Sequence, residues 1–92
     1  MNTYRGASTL IAESGTEIRA GADLKAADGS WGGYLTIDTE NLDVVLNLWS
    51  GRIRLPSGSE GAFDRPNREA VPPRPELPMF RIRIEGNGDA PF

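Results

Sequence analysis

Two tripeptides of identical composition, Arg52-Ile53-Arg54 and Arg81-Ile82-Arg83, carry the most chemically capable side chains in the sequence. Guanidinium forks match carboxylate and phosphate geometry. Residues two apart on a strand point to the same side, with a repeat of ~6.6–6.8 Å. If the two segments are neighbouring strands, their four arginines form one positive patch, suited to an acidic protein partner or a small anionic ligand such as a nucleotide. The plainer expectation is a solvated face whose arginines meet Glu17, Asp23, Glu60 or Glu85 across strands. Three aromatic residues complete the candidates for ligand or partner binding. Trp31 and Trp49 are expected in the core of a domain this small. Tyr34 falls on the strand face opposite Trp31, which makes it exposed or part of an interface. An exposed aromatic beside an arginine can stack on a nucleobase or anchor a protein contact.

Catalytic and metal-binding side chains are scarce by comparison. The chain has no His and no Cys, so a Ser-His-Asp or Cys-His arrangement cannot form, and neither can a disulfide. Lys25 is the only lysine, and no phosphate-cradling Gly-x-x-x-x-Gly-Lys loop occurs. Carboxylate pairs remain as a route to acid–base chemistry, but the 13 acidic residues are scattered over turns and alternating strand positions, where solvation is their usual role. The expectation is a protein that is not an enzyme, with no catalytic residues, no metal site and no cofactor.

Composition narrows the partners. Ten basic and 13 acidic residues give a net charge of −3, against the basic excess of a general nucleic-acid binder. Nine of the ten basic residues are Arg, a skew that fits a GC-rich coding sequence as well as ligand chemistry. No apolar run approaches the ~18 residues of a membrane span, and the first residues lack a signal-peptide pattern, so a cytoplasmic location without membrane attachment is expected. A chain of 92 residues suffices for one domain, and at 38% hydrophobic residues its core is thin. Reinforcement by self-association is the expected compensation, as a homo-oligomer.

The positions of these groups depend on the strands that hold them. Eleven Gly and seven Pro leave little room for a long helix. Residues 4–12 read as a strand, with Ser14-Gly15 as the turn after it. Residues 16–26 alternate strictly: Ile18, Ala20, Ala22 and Leu24 stand between Glu17, Arg19, Gly21, Asp23 and Lys25. Asp28-Gly29 is a strong hairpin signal, leading to a third strand at 31–37 that puts Trp31, Leu35 and Ile37 on one face. Gly32-Gly33 marks a bulge or a close approach of another backbone.

Residues 38–50 fit two periods. Leu42, Val45, Leu46 and Trp49 have helical spacing, with Asp38 or Thr39 as cap and Gly51 as terminator. Leu42, Val44, Leu46 and Leu48 have strand spacing, and the β-branched Val44-Val45 pair favours the strand. A second hairpin follows, 52–55 and 60–64 about Pro56-Ser57-Gly58-Ser59. Five of the seven prolines then fall in 65–78, a crossover connection, within which Pro72-Pro73-Arg74-Pro75 loosely resembles a proline-rich docking segment. Phe80, Ile82 and Ile84 alternate with polar residues in a last strand, and Phe92 closes the tail either as a plug on the sheet or loose.

Ser30-Trp31-Gly32-Gly33, the stretch from Gly51 to Gly61, the ending from Ile84 to Phe92 and Tyr4-Arg5-Gly6 together resemble small uncharacterised glycine-rich β-domain proteins of actinobacteria and their phages. The resemblance implies such an origin and a β-rich fold, and it assigns no residue a role. Taken together, the expectations are a single all-β domain over 1–92, a small barrel or compact two-layer sandwich of six or seven antiparallel strands, with room for one short helix near 40–49 and a Pro-rich connection at 65–78. The function expected of it is association, with another protein or with itself. The alternative is an oligomeric binder that sequesters a small anionic ligand.

Overall fold

The computed structural model describes residues 2–71, 76 and 78–92. The strands are β1 (Asn2–Ala12), β2 (Glu17–Ala27), β3 (Ser30–Asp38), β4 (Ser50–Arg54), β5 (Glu60–Asp64) and β6 (Met79–Asn87). A 3-10 turn (Thr39–Asn41) and a short helix α1 (Leu42–Leu46) join β3 to β4. All pairings are antiparallel and the sheet closes into a barrel in the order β1-β2-β3-β6-β5-β4.

Alternation along each strand sends one set of side chains inward. Leu10, Leu24, Leu35, Ile37, Ile53, Phe63, Ile82 and Ile84 are fully or almost fully buried, and Val45 and Leu48 join them from the helical connection. Tight turns set the registers. Ala27 pairs with Ser30 across Asp28-Gly29, and both turn residues have positive φ, 54° and 79°, as a two-residue turn matched to strand twist requires. The other two hairpins repeat one design: Ala12 N–H donates to Thr16 O and Gly15 N–H to Ala12 O, while Leu55 N–H donates to Ser59 O and Gly58 N–H to Leu55 O. In each a serine precedes the glycine, and its hydroxyl lies 3.4 Å from the N–H two residues on.

Gly33 is a close backbone approach rather than a bulge, since the β2–β3 register runs unbroken through it. A Cβ there would lie 2.1 Å from Asp23 O. Trp31 explains a second glycine: its indole lies flat over Gly86, where a Cβ would come within 1.9 Å of the ring. Phe92 meets the same indole edge-on at 6.3 Å and Tyr4 at 6.3 Å, so the tail is a plug across this part of the barrel.

Residues 39–46 are helical, against the strand preference of the sequence. The reason is topological. β3 and β4 are not neighbours, because β6 and β5 lie between them, so the connection has no sheet position to occupy. It coils instead, and Val45 and Leu48, three residues apart, enter the core. Neither expected cap operates: no side chain caps the N-termini, and Gly51 belongs to β4. The carbonyls at the other end are satisfied by Arg65, whose Nη1 donates to Val45 O at 2.7 Å and Leu48 O at 3.1 Å, while Nη2 donates to Glu69 O at 3.2 Å. Burial, with Arg68 adding repulsion, holds the Arg65 pKa below the ordinary arginine value, without discharging it. The Pro-rich connection is thus anchored at its start by Arg65, and at Val71 by a two-way backbone bridge to Arg81. Pro72-Pro73-Arg74-Pro75 lies outside the described residues.

Candidate functional site

Outward-facing residues of β2, β3 and β6 are brought into rows by register. Tyr34 stands between Asp23 and Arg83, Thr36 between Gly21 and Arg81, and Gly32 between Lys25 and Glu85. Because Gly32 has no side chain, the middle of this face is hollow. A depression of about 710 Å³ lies over it, with Lys25, Tyr34, Arg83 and Glu85 among its walls.

Tyr34 is 42% exposed, and the Arg81 guanidinium sits 4.5 Å from its ring centroid. The ring therefore fixes one arginine in a stacked orientation. Arg83 and Lys25 are exposed and have no ion-pair partner among the described residues. Of the two carboxylates at the rim, Asp23 is engaged by Arg5 at 3.3 Å. Three cations thus face one unengaged carboxylate, Glu85, on a protein whose net charge is −3. Such a trough can take a carboxylate or phosphate in the Arg83 fork and a planar or apolar group on Tyr34.

The other candidates lie elsewhere. β5 separates β4 from β6, so Arg52 and Arg54 do not join Arg81 and Arg83 in one patch. Arg52 Nε lies 3.0 Å from Glu60, and Arg54 pairs with Glu17, two of the carboxylates expected to solvate them. Trp31 is buried, as expected of a core residue, and it is also among the residues that line the depression over Gly32. Trp49 departs from the core expectation: it is 46% exposed, with Arg68 4.5 Å from its ring centroid. The helical turn that sends Val45 and Leu48 inward rotates the next residue outward. Leu42, Leu46 and Trp49 are all exposed at helical spacing.

Nothing in the sequence marks Lys25 and Gly32 as site residues. Their only signal is a register, Lys25 opposite Gly32 opposite Glu85, which exists once β6 is placed beside β3. No helix among the described residues is long and apolar enough to cross a membrane, and no cluster of metal-ligating side chains occurs among them. Comparison with protein-family models, curated proteins and solved structures finds no match to this chain.

Proposed function

We propose that this protein is a non-enzymatic β-barrel domain that acts by binding, and that its partner is a protein presenting acidic side chains to Tyr34, Arg81, Arg83 and Lys25. The observation that carries the reading is the exposed Tyr34–Arg81 stack beside two cations without carboxylate partners among the described residues. Tyrosine and arginine are the side chains most often found at the energetic centre of protein interfaces. A stacked guanidinium has already lost part of its rotamer freedom, so less is lost on docking.

A small anionic ligand is the second reading. The depression over Gly32 favours it, since about 710 Å³ falls in the ~300–1,000 Å³ range of small-molecule sites. Parallel titrations separate the two, one with a short glutamate-rich peptide and one with a nucleoside diphosphate. Saturable peptide binding that weakens with salt supports the protein-partner reading. Nucleotide binding with no peptide binding favours the second, and failure of both contradicts the site.

A further inference from the structure

β1 is paired along only part of its outer edge. The hairpin bond from Ala12 N–H to Thr16 O places the even-numbered residues of β1 in bonding register with β2. The odd-numbered residues therefore turn their N–H and C=O groups the other way. Thr9 and Ile11 find Arg54 and Arg52 of β4 there, consistent with the β4–β5 hairpin bond at Leu55, which sets the even residues of β4 toward β1. The β1–β4 pairing begins at Thr9, so Thr3, Arg5 and Ala7 have no backbone partner on this edge among the described residues. One group is covered: the Tyr4 hydroxyl donates to Ala7 O, masking an acceptor that would otherwise stand open.

The surroundings of this half-edge are basic and shallow. On the outer face Thr3 is opposite Lys25, Arg5 is on the edge itself, and Arg19 and Arg54 flank Thr9 from either side. Arg19 has no ion-pair partner among the described residues, whereas Asp23 and Glu17 are already engaged by Arg5 and Arg54. Ala7 and Gly21 lie side by side between these cations, and a depression of about 620 Å³ extends over them to Pro56 and Gly58.

We infer that the Thr3–Ala7 edge of β1 accepts an extended acidic segment of a partner protein as an added antiparallel strand. Main-chain bonds to Thr3, Arg5 and the Ala7 N–H supply the attachment, and acidic side chains at alternate positions meet Arg5 on the edge and, one strand further in, the long side chains of Arg19 and Lys25. A second copy of this chain fits less well, because the register that uses all three open residues sets Arg5 directly against Arg5 of the other copy. The inference rests on the reading of the domain as a binder of acidic protein segments, and adds where the partner's main chain docks.

Ala7→Pro tests it without disturbing the barrel. The Ala7 N–H points away from β2, so proline there removes no ladder bond but blocks an added strand. The probe is a short peptide alternating glutamate and valine, followed by fluorescence anisotropy, with its lysine–valine counterpart as control. The parent protein is expected to bind the acidic peptide and not the basic one. Ala7→Pro is expected to weaken binding about ten-fold or more, the cost of losing roughly 1.4 kcal/mol, with the thermal midpoint within a few degrees of the parent. Hydrogen exchange gives a second reading: the Thr3, Arg5 and Ala7 amides should slow when peptide is added, which docking on the outer face alone would not cause. Equal affinity of parent and Ala7→Pro, unchanged exchange at these amides, or no acidic-peptide binding by the parent would each overturn the inference. Loss of binding in Arg81→Ser with Arg83→Ser but not in Ala7→Pro would keep the trough and remove the strand site. The opposite pattern would do the reverse.

Discussion

Arg52-Ile53-Arg54 on β4 and Arg81-Ile82-Arg83 on β6 are the same tripeptide with the same pleat. In each the isoleucine is fully buried and both arginines leave the core for the barrel surface. Their surroundings differ completely. The arginines of β4 meet carboxylates, Glu60 on β5 and Glu17 at the start of β2. The arginines of β6 meet the polar and aromatic residues of β3, Arg81 stacked on Tyr34 and Arg83 with no ion-pair partner among the described residues. The comparison teaches that a strand segment specifies which way its side chains point, while the neighbouring strand decides whether they are neutralised or left unpaired. Arg65 adds a third fate, buried against three carbonyls, with no role at the surface.

The comparison can be attacked first through the backbone that carries the β6 pair. Gly86→Val puts a branched side chain where the Trp31 indole lies, and the sheet between Trp31 and the β6 arginines must move. A loss of about 3 kcal/mol is expected, read as a lower urea midpoint with altered tryptophan emission. A variant as stable as the parent would show that Trp31 does not define this wall.

Next in size is Arg65→Met, which removes a charged donor from the carbonyls of Val45, Leu48 and Glu69. Leu48 O then loses its donor, while Val45 O keeps the Leu48 N–H, and a cost of about 2 kcal/mol is expected. Thermal denaturation should show the drop, whereas affinity for an acidic peptide should be unchanged in the folded protein. A change in affinity with no change in stability would reverse the assignment of this arginine as structural.

Smallest is the effect of releasing the β4 pair. Glu17→Gln with Glu60→Gln breaks two exposed ion pairs, whose loss should alter stability by less than ~1 kcal/mol. The variant sharpens the comparison because it leaves Arg52 and Arg54 as unpaired as Arg83. Affinity for a glutamate-rich peptide, followed by titration calorimetry, should rise or hold. A fall would mean that these carboxylates, and not the β6 arginines, organise the site.

Much of the barrel was legible along the chain. Strict alternation over 16–26 and the Asp28-Gly29 and Ser14-Gly15 turns dictate the first meander, because a period of two permits only one face inward and those turns permit only one register. The connection at 39–48 was not legible, since its apolar residues satisfy both periods and the deciding fact, that β3 and β4 are not neighbours, is a property of the closed sheet. The exposure of Trp49 is hidden for the same reason, as its direction follows from the helical turn before it. At the site, Tyr34 was assigned to the exposed face from its parity with Trp31, and Arg81 and Arg83 from the pleat of β6. Their separation from Arg52 and Arg54, and the part taken by Lys25 and Gly32, depend on strand order, which no local pattern encodes.

Two identical tripeptides on one barrel should therefore differ in function. Arg81→Ser with Arg83→Ser, and Arg52→Ser with Arg54→Ser, each remove two surface charges and should leave stability within ~0.5 kcal/mol of the parent. Titrating both double variants with one glutamate-rich peptide at fixed salt tests the claim directly. The β6 variant should lose about 2 kcal/mol of binding, roughly thirty-fold in affinity, and the β4 variant should bind within about three-fold of the parent. Equal losses in both, or none in the β6 variant, would contradict it.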